Sequence, residues 1–302
     1  MKKLNTYLVL AMLPLLTCSI NAQSNFNILN AKTPTGIGEM PLERQKANEN
    51  DPLSYDYIDD RDILWSTIVW EQIDLNEKIN LPLYYPIDST HVESSRKSLF
   101  YTLLRGIKNG SIKEVYDDSF FKSKLTPKDI NQKLRRIDTS EYAYEKLNEG
   151  VTDINNYIDE ISIKSEDIDG YQIKGMWFFD KRQGELRYRI LAIAPMGPDV
   201  QIFGRDFIDA EESLPLFWIY YPDARKILHK GTAFNQKNPR SPISFDQIFN
   251  ARRFSSYIIR EENLYGNRSI ADYVRENSLL QVVESERIKE RIRNKELDMW
   301  NY

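Results

Sequence analysis

The stretch Tyr171-Gln172-Ile173-Lys174-Gly175-Met176-Trp177-Phe178-Phe179-Asp180-Lys181-Arg182-Gln183-Gly184-Glu185-Leu186-Arg187-Tyr188-Arg189-Ile190-Leu191-Ala192-Ile193-Ala194 reads as two strands and a turn. β-Branched and aromatic side chains crowd both arms, and the polar run Asp180 to Gly184 separates them as a hairpin loop. In the second arm Leu186, Tyr188, Ile190 and Ala192 alternate with Glu185, Arg187 and Arg189. That period of two predicts one buried face and one wet face. Downstream, Leu214 to Tyr221 predicts a further strand ended by Pro222, and Tyr257 to Arg260 a last one. Phe245 to Asn250 predicts a short helix between them. Ile270 to Val274 begins a helical tail over residues 268–302.

Upstream of the hairpin the signals are helical. Asp59-Asp60-Arg61-Asp62 places carboxylates where a first helical turn favours them. Leu64, Ile68 and Leu75, flanked by Trp65, Val69 and Ile73, then suggest a buried helical stripe closed by Asn80-Leu81-Pro82. Leu83-Tyr84-Tyr85-Pro86 reads as a short extended piece halted by proline. A second helix is predicted from Ser95 to Lys108, burying Leu99, Leu103, Leu104 and Ile107, with Asn109-Gly110 as its stop. Ile112 to Tyr116 predicts a brief strand. Thr126-Pro127-Lys128-Asp129 starts a third helix through Ile130, Leu134 and Ile137, with a capping hydroxyl and a proline whose missing N–H does no harm. Helices, then sheet, then helix make an α+β fold: N-terminal helices, a central antiparallel sheet and a charged C-terminal helix. Its parts are a helical section at 59–150, a sheet-rich section at 151–262 and the tail at 268–302.

The chain begins with an export signal over 1–22. Lys2 and Lys3 precede an apolar core from Leu8 to Leu16, and Ala22–Gln23 offers the cleavage point. That core is too short to span a bilayer, which needs about 20 apolar residues, and no later segment is longer, so the mature chain has no transmembrane segment. Cys18 is the single cysteine; Leu15-Leu16-Thr17-Cys18 loosely resembles a lipobox, although Thr17 fits it poorly. Cleavage after Ala22 would leave no cysteine for a disulfide or a thiolate metal site. With 41 basic residues against 45 acidic, and two lysines in the signal, a mature chain near −6 gains little from counterion release on nucleic acid, so nucleic acid is excluded as a partner. Residues 23–58 lack a sustained apolar period and read as a flexible arm, or one that orders on a neighbour through Tyr55 and Tyr57.

Catalytic signals are sparse. His91 and His229 are the only histidines, and neither has metal-ligand spacing. No Gly-x-Ser-x-Gly elbow, GxGxxG or Walker sequence occurs. Asp59-Asp60-x-Asp62 and Asp117-Asp118 lack the glycine and terminal glutamate of an EF-hand loop and suit capping and turn roles. Glu211-Glu212 reads as a solvated pair. The chain therefore predicts no catalytic residue, no metal and no cofactor. In the tail, Ile288, Ile292, Leu297 and Trp300 form an approximately helical stripe. That stripe packs on the chain's own sheet or on another subunit, with Arg287, Arg291, Arg293 and Trp300 as candidate anchors.

Several blocks resemble one family in order. Asp62 to Asn80 (DILWSTIVWEQIDLNEKIN) followed by Pro82-Leu83-Tyr84-Tyr85-Pro86 is similar to the opening of GldN/PorN proteins. Ser98-Leu99-Phe100 through Gly106-Ile107 and Gly110 continue the likeness. Leu216-Phe217-Trp218-Ile219-Tyr220-Tyr221-Pro222, Arg252-Arg253-Phe254-Ser255-Ser256-Tyr257-Ile258 and the run Glu284 to Trp300 complete it. The resemblance implies a non-enzymatic periplasmic protein at the inner face of the outer membrane. It implies self-association in a ring with a GldK/PorK-like lipoprotein, and contact with a GldM-like motor subunit, in type IX secretion and gliding motility. A peptidoglycan-binding module and, further off, a periplasmic hydrolase are the alternatives.

Overall fold

The computed structural model describes residues 52–87, 96–139, 158–203, 213–235, 238, 241–264, 266–275 and 277–299. Chain order runs β1 (Ile63–Asp74), α1 (Leu81–Tyr84), α2 (Leu99–Lys108), β2 (Val115–Tyr116), α3 (Pro127–Leu134), β3 (Arg135–Thr139) and β4 (Ile158–Ser162). Next come β5 (Gly170–Asp180), β6 (Glu185–Gly197), β7 (Leu214–Pro215), β8 (Trp218–Tyr220), α4 (Tyr221–Lys230) and β9 (Thr232–Ala233). The chain closes with β10 (Ile243–Ser244), α5 (Phe245–Asn250), β11 (Tyr257–Glu261), α6 (Ile270–Tyr273) and α7 (Ser278–Met299). The fold is α+β. Its main sheet is antiparallel in the order β11-β1-β5-β6-β8-β2, with β7 also pairing β6.

The predicted helix over 59–80 is a strand. Asp60–Asp62 makes only one 3-10 turn, capped by Asp59, and Ile63 starts β1. Ile63, Thr67, Ile68, Val69 and Ile73 are β-branched and Trp65 and Trp70 are aromatic, the residue types that fit a pleated surface. Because β1 lies between β5 and β11, ladder partners on both sides outweigh its helix-like apolar spacing. Val69, Glu71 and Ile73 point into one buried face and Trp70 into the other, whereas Leu64 is half exposed.

One face of the sheet carries the principal core. Ile73, Tyr171, Ile173, Ile190 and Ile193 meet Leu99, Phe100 and Leu103 of α2, Leu228 of α4, and Phe245 and Phe249 of α5. Each such side chain contributes about 1.5–3 kcal/mol by leaving water. At the far end Val69 and Ile258 receive Ile288 and Ile292 of α7. The opposite face is also covered: Trp70, Ala192, Ala194 and Trp218 pack with Phe121 from the loop after β2. The wet face expected for β6 is therefore confined to its start. A bulge between Lys174 and Gly175 moves their partners from Ala192 to Ile190, so Ile190 and Ile193 share one core while Ala192 joins the other.

Other boundaries differ for local reasons. Thr126 and Asp129 form a reciprocal capping box at the start of α3, but the helix stops at Leu134 and Ile137 lies exposed in β3. Pro222 does not end a strand. It sits in the first turn of α4, where a proline is tolerated, and the sequence pattern missed this helix. Pro82 plays the same part in α1, which replaces the extended piece expected there. The tail is two helices, because Val274 closes α6 before α7 begins. Gly110 does take positive φ, as its stop role requires.

Candidate functional site

Two clusters of charge and aromatic rings flank the sheet. In the first, a groove of about 860 Å³ opens beside Arg187, Arg189, Arg225, His229, Asp246 and Arg253. Arg225 comes from α4 and Asp246 from α5. Both are buried, and Nε and Nη2 of Arg225 donate to the two carboxylate oxygens at 3.0 and 3.2 Å. The Tyr221 hydroxyl donates to the same Asp246 at 3.1 Å. Burial, and then the Asp246 charge, push the Tyr221 phenol well above its ordinary value. The pair thus consumes the groove's one carboxylate among the described residues, which leaves the lining net positive.

Tyr55 lies in this groove. Its ring is sandwiched between the guanidinium groups of Arg189 (4.6 Å) and Arg225 (4.1 Å), and its hydroxyl donates to Asn250 Oδ1 at 3.0 Å. Arg187 reaches the Asp56 carboxylate at 3.3 Å, and Arg189 donates to the Asp56 carbonyl at 3.1 Å. Burial, more than any neighbouring charge, raises the Tyr55 phenol and keeps it neutral. Tyr57, the other expected anchor, is 80% exposed.

The second cluster braces α7. Glu71 is 1% exposed and takes both terminal nitrogens of Arg252, at 3.2 and 2.9 Å, plus the Ser256 hydroxyl. Arg252 adopts φ 47° and lies against Tyr188 (4.1 Å), Trp177 (5.0 Å) and Phe254 (5.3 Å). Burial, the largest single influence, would lower its guanidinium, yet Glu71 and Tyr188 together outweigh that and hold it raised. Asn80, fully buried, donates to the carbonyls of Asp74 and Ser255 and accepts from the Ser255 N–H. The loop so fixed meets α7: Lys289 donates to the Ser256 carbonyl, and the Ser285 hydroxyl accepts from the Ile258 N–H at 2.7 Å.

The arginines proposed for α7 separate by face. Arg291 pairs with Glu261 of the chain's own β11. Among the described residues Arg287 pairs with Glu284 along the helix and is 78% exposed, and Arg293 is exposed at the edge of a small cleft beside Trp177 and Leu186. Leu297 is 61% exposed, so among the described residues of the expected stripe Ile288 and Ile292 are the buried ones. Trp300, Ala22, Gln23, His91 and Glu211-Glu212 lie outside the described residues. Sequence reasoning missed an apolar surface. Leu279, Leu280, Val282 and Val283, in the first turns of α7, are all more than half exposed. The signal was legible as four apolar residues on one helical face, with Gln281, Glu284 and Ser285 on the other.

No cluster of three or more potential metal ligands occurs among the described residues. No described helix is long and apolar enough to cross a membrane. The arrangement defines an α+β protein whose ordered polar groups pin elements together and whose remaining charge and apolar side chains face outward. A family model described as "Gliding motility associated protein GldN" matches residues 58–301. The chain belongs to that family, and is thereby a component of gliding motility and type IX secretion. No curated protein matches it.

Proposed function

We propose that the protein is a non-enzymatic periplasmic scaffold that builds a ring with a GldK/PorK-like lipoprotein at the inner face of the outer membrane, in contact with a GldM-like motor subunit. Family membership across residues 58–301 carries this reading. Two surface features support it. The outward apolar face Leu279, Leu280, Val282 and Val283 has the composition of a protein contact, as large exposed apolar patches do. Arg287 and Arg293 rim the same helix with charge that its own sheet does not use. A ring needs heterologous contacts that close by rotation, and two unlike surfaces on one chain can supply them.

The test is purification of the tagged chain from detergent-solubilised envelopes, followed by particle imaging. A large closed assembly containing a lipoprotein is expected; a lone monomer, in cells that still secrete, would overturn the scaffold reading. Leu280→Glu with Val283→Glu should abolish lipoprotein co-purification while leaving the circular dichroism spectrum unchanged. Removing residues 285–302 is a poorer probe, because Ser285, Ile288 and Ile292 are part of the core.

A further inference from the structure

The groove that holds Tyr55 has capacity its own chain does not use. Among the described residues Tyr55 and Asp56 make the strap's ring and hydrogen-bond contacts to it, while Leu53 is 88% exposed and Tyr57 80%. None of the described backbone hydrogen bonds joins residues 53–58 to the sheet. The neighbouring strand is free to take more. β7 and β8 pair β6 only at Met196–Gly197 and Ala192–Ile193, so the outer edge from Glu185 to Leu191 has no ladder partner among the described residues. Such an edge is a template for an extended chain. About 860 Å³ of groove stays open beside the seated tyrosine, rimmed by Arg187, Arg189, Arg253 and His229.

We propose that in the assembled state this groove receives the Leu53–Asp56 strap of a second copy of the chain, so that each copy gives its strap to the next. The inference rests on the scaffold reading and adds the contact between copies. Charge complementarity points to this occupant: the strap Leu53–Asp56 carries Asp56 and no cation, and the groove lining is net positive. The seated Tyr55–Asp56 pair already displays the mode of binding, a ring between two guanidinium groups and a carboxylate on a third. Exchange keeps those contacts and changes only which chain supplies them, which is the economy of segment swapping. The strap joins the body through Tyr57 and Ile58, ahead of the turn capped by Asp59. Two to three residues span at most ~10 Å. The donor's β5–β6 turn, fixed to Asp62 through the Lys181 N–H, must therefore lie beside the acceptor's groove. Strap and groove are different surfaces, so the contact is heterologous and can propagate around a ring.

Residues 23–302 contain no cysteine, which permits a clean cross-linking test. Chains of that length carrying Ser54→Cys are mixed with chains carrying Ala251→Cys, both positions lining the groove, and treated with a short bis-maleimide across a concentration series. Exchange predicts a heterodimer that accumulates with assembly and falls about tenfold when the Ser54→Cys chain also carries Tyr55→Ala, since the cation–π sandwich is lost. The doubly substituted chain should give ladders of linked multimers. Cross-links confined to single chains at every concentration would overturn exchange, as would heterodimers indifferent to Tyr55→Ala. Recovery of the lipoprotein with the same samples is scored separately: if it persists without interchain cross-links, exchange falls and the scaffold reading stands.

Discussion

Glu71 accepts three hydrogen bonds in a site almost closed to water, and its partner Arg252 rests on three aromatic rings. Removing one member of such a pair leaves the other charge uncompensated, at a cost of about 3–5 kcal/mol. Glu71→Gln should therefore lower the unfolding free energy measured by urea titration by that much, whereas Glu261→Gln, whose partner Arg291 is more than half exposed, should change it by under about 1 kcal/mol. A similar loss from both would mean that the buried pair has no special place. Tyr55 carries a pH signature. Its phenol is raised in the groove, so the folded form holds the proton more tightly than the released strap does. Strap docking is then fully present below the ordinary tyrosine value of ~10 and weakens as pH rises above it. Proteolytic cutting near residue 55 should accelerate across that window, and Tyr55→Phe should flatten the response.

At the scale of elements, β5 and β6 depend on one close approach. A Cβ built on Gly175 would lie 2.1 Å from the Tyr188 hydroxyl and 2.2 Å from its ring carbon Cζ, since the Tyr188 ring lies across the glycine. Gly175→Ala should destabilise by about 1–3 kcal/mol, as overpacked sites do. Adding Tyr188→Leu should recover part of that loss, read as a non-additive double-mutant cycle; strict additivity would refute the packing account. The last helix has its own seam. Ser285 is 1% exposed and its hydroxyl accepts the Ile258 N–H, so Ser285→Val should orphan that donor and cost about 1–3 kcal/mol. Arg287→Glu, on the outer face of α7, should leave thermal stability unchanged; a large loss there would place that arginine inside the fold.

For the molecule as a whole, the central hairpin, the cap of α3 and the charged final helix were legible because each rests on neighbours in sequence. The capping box of Thr126 and Asp129 and the turn at Asp180–Gly184 are contacts a few residues long. β1 was misread because its apolar residues satisfy a helical period and a strand period together, and the strand preference of its β-branched and aromatic residues is too context-dependent to break the tie by itself. The tie is broken by Gly175, Lys174 and Ile173 on one side and Tyr257, Ile258 and Arg260 on the other, which occupy its two ladders. The candidate surfaces divide likewise. Tyr55 could be named as an anchor from the sequence, but its seat between Arg189 and Arg225 joins residues far apart along the chain. By itself, then, the sequence determined the α+β class, the start of α3, the central turn and the family blocks, because propensity, capping and turn chemistry act over a few residues. Only the tertiary structure decided that β1 belongs to the sheet, that both sheet faces are covered, and which arginines stay outward, because each depends on partners supplied by distant segments.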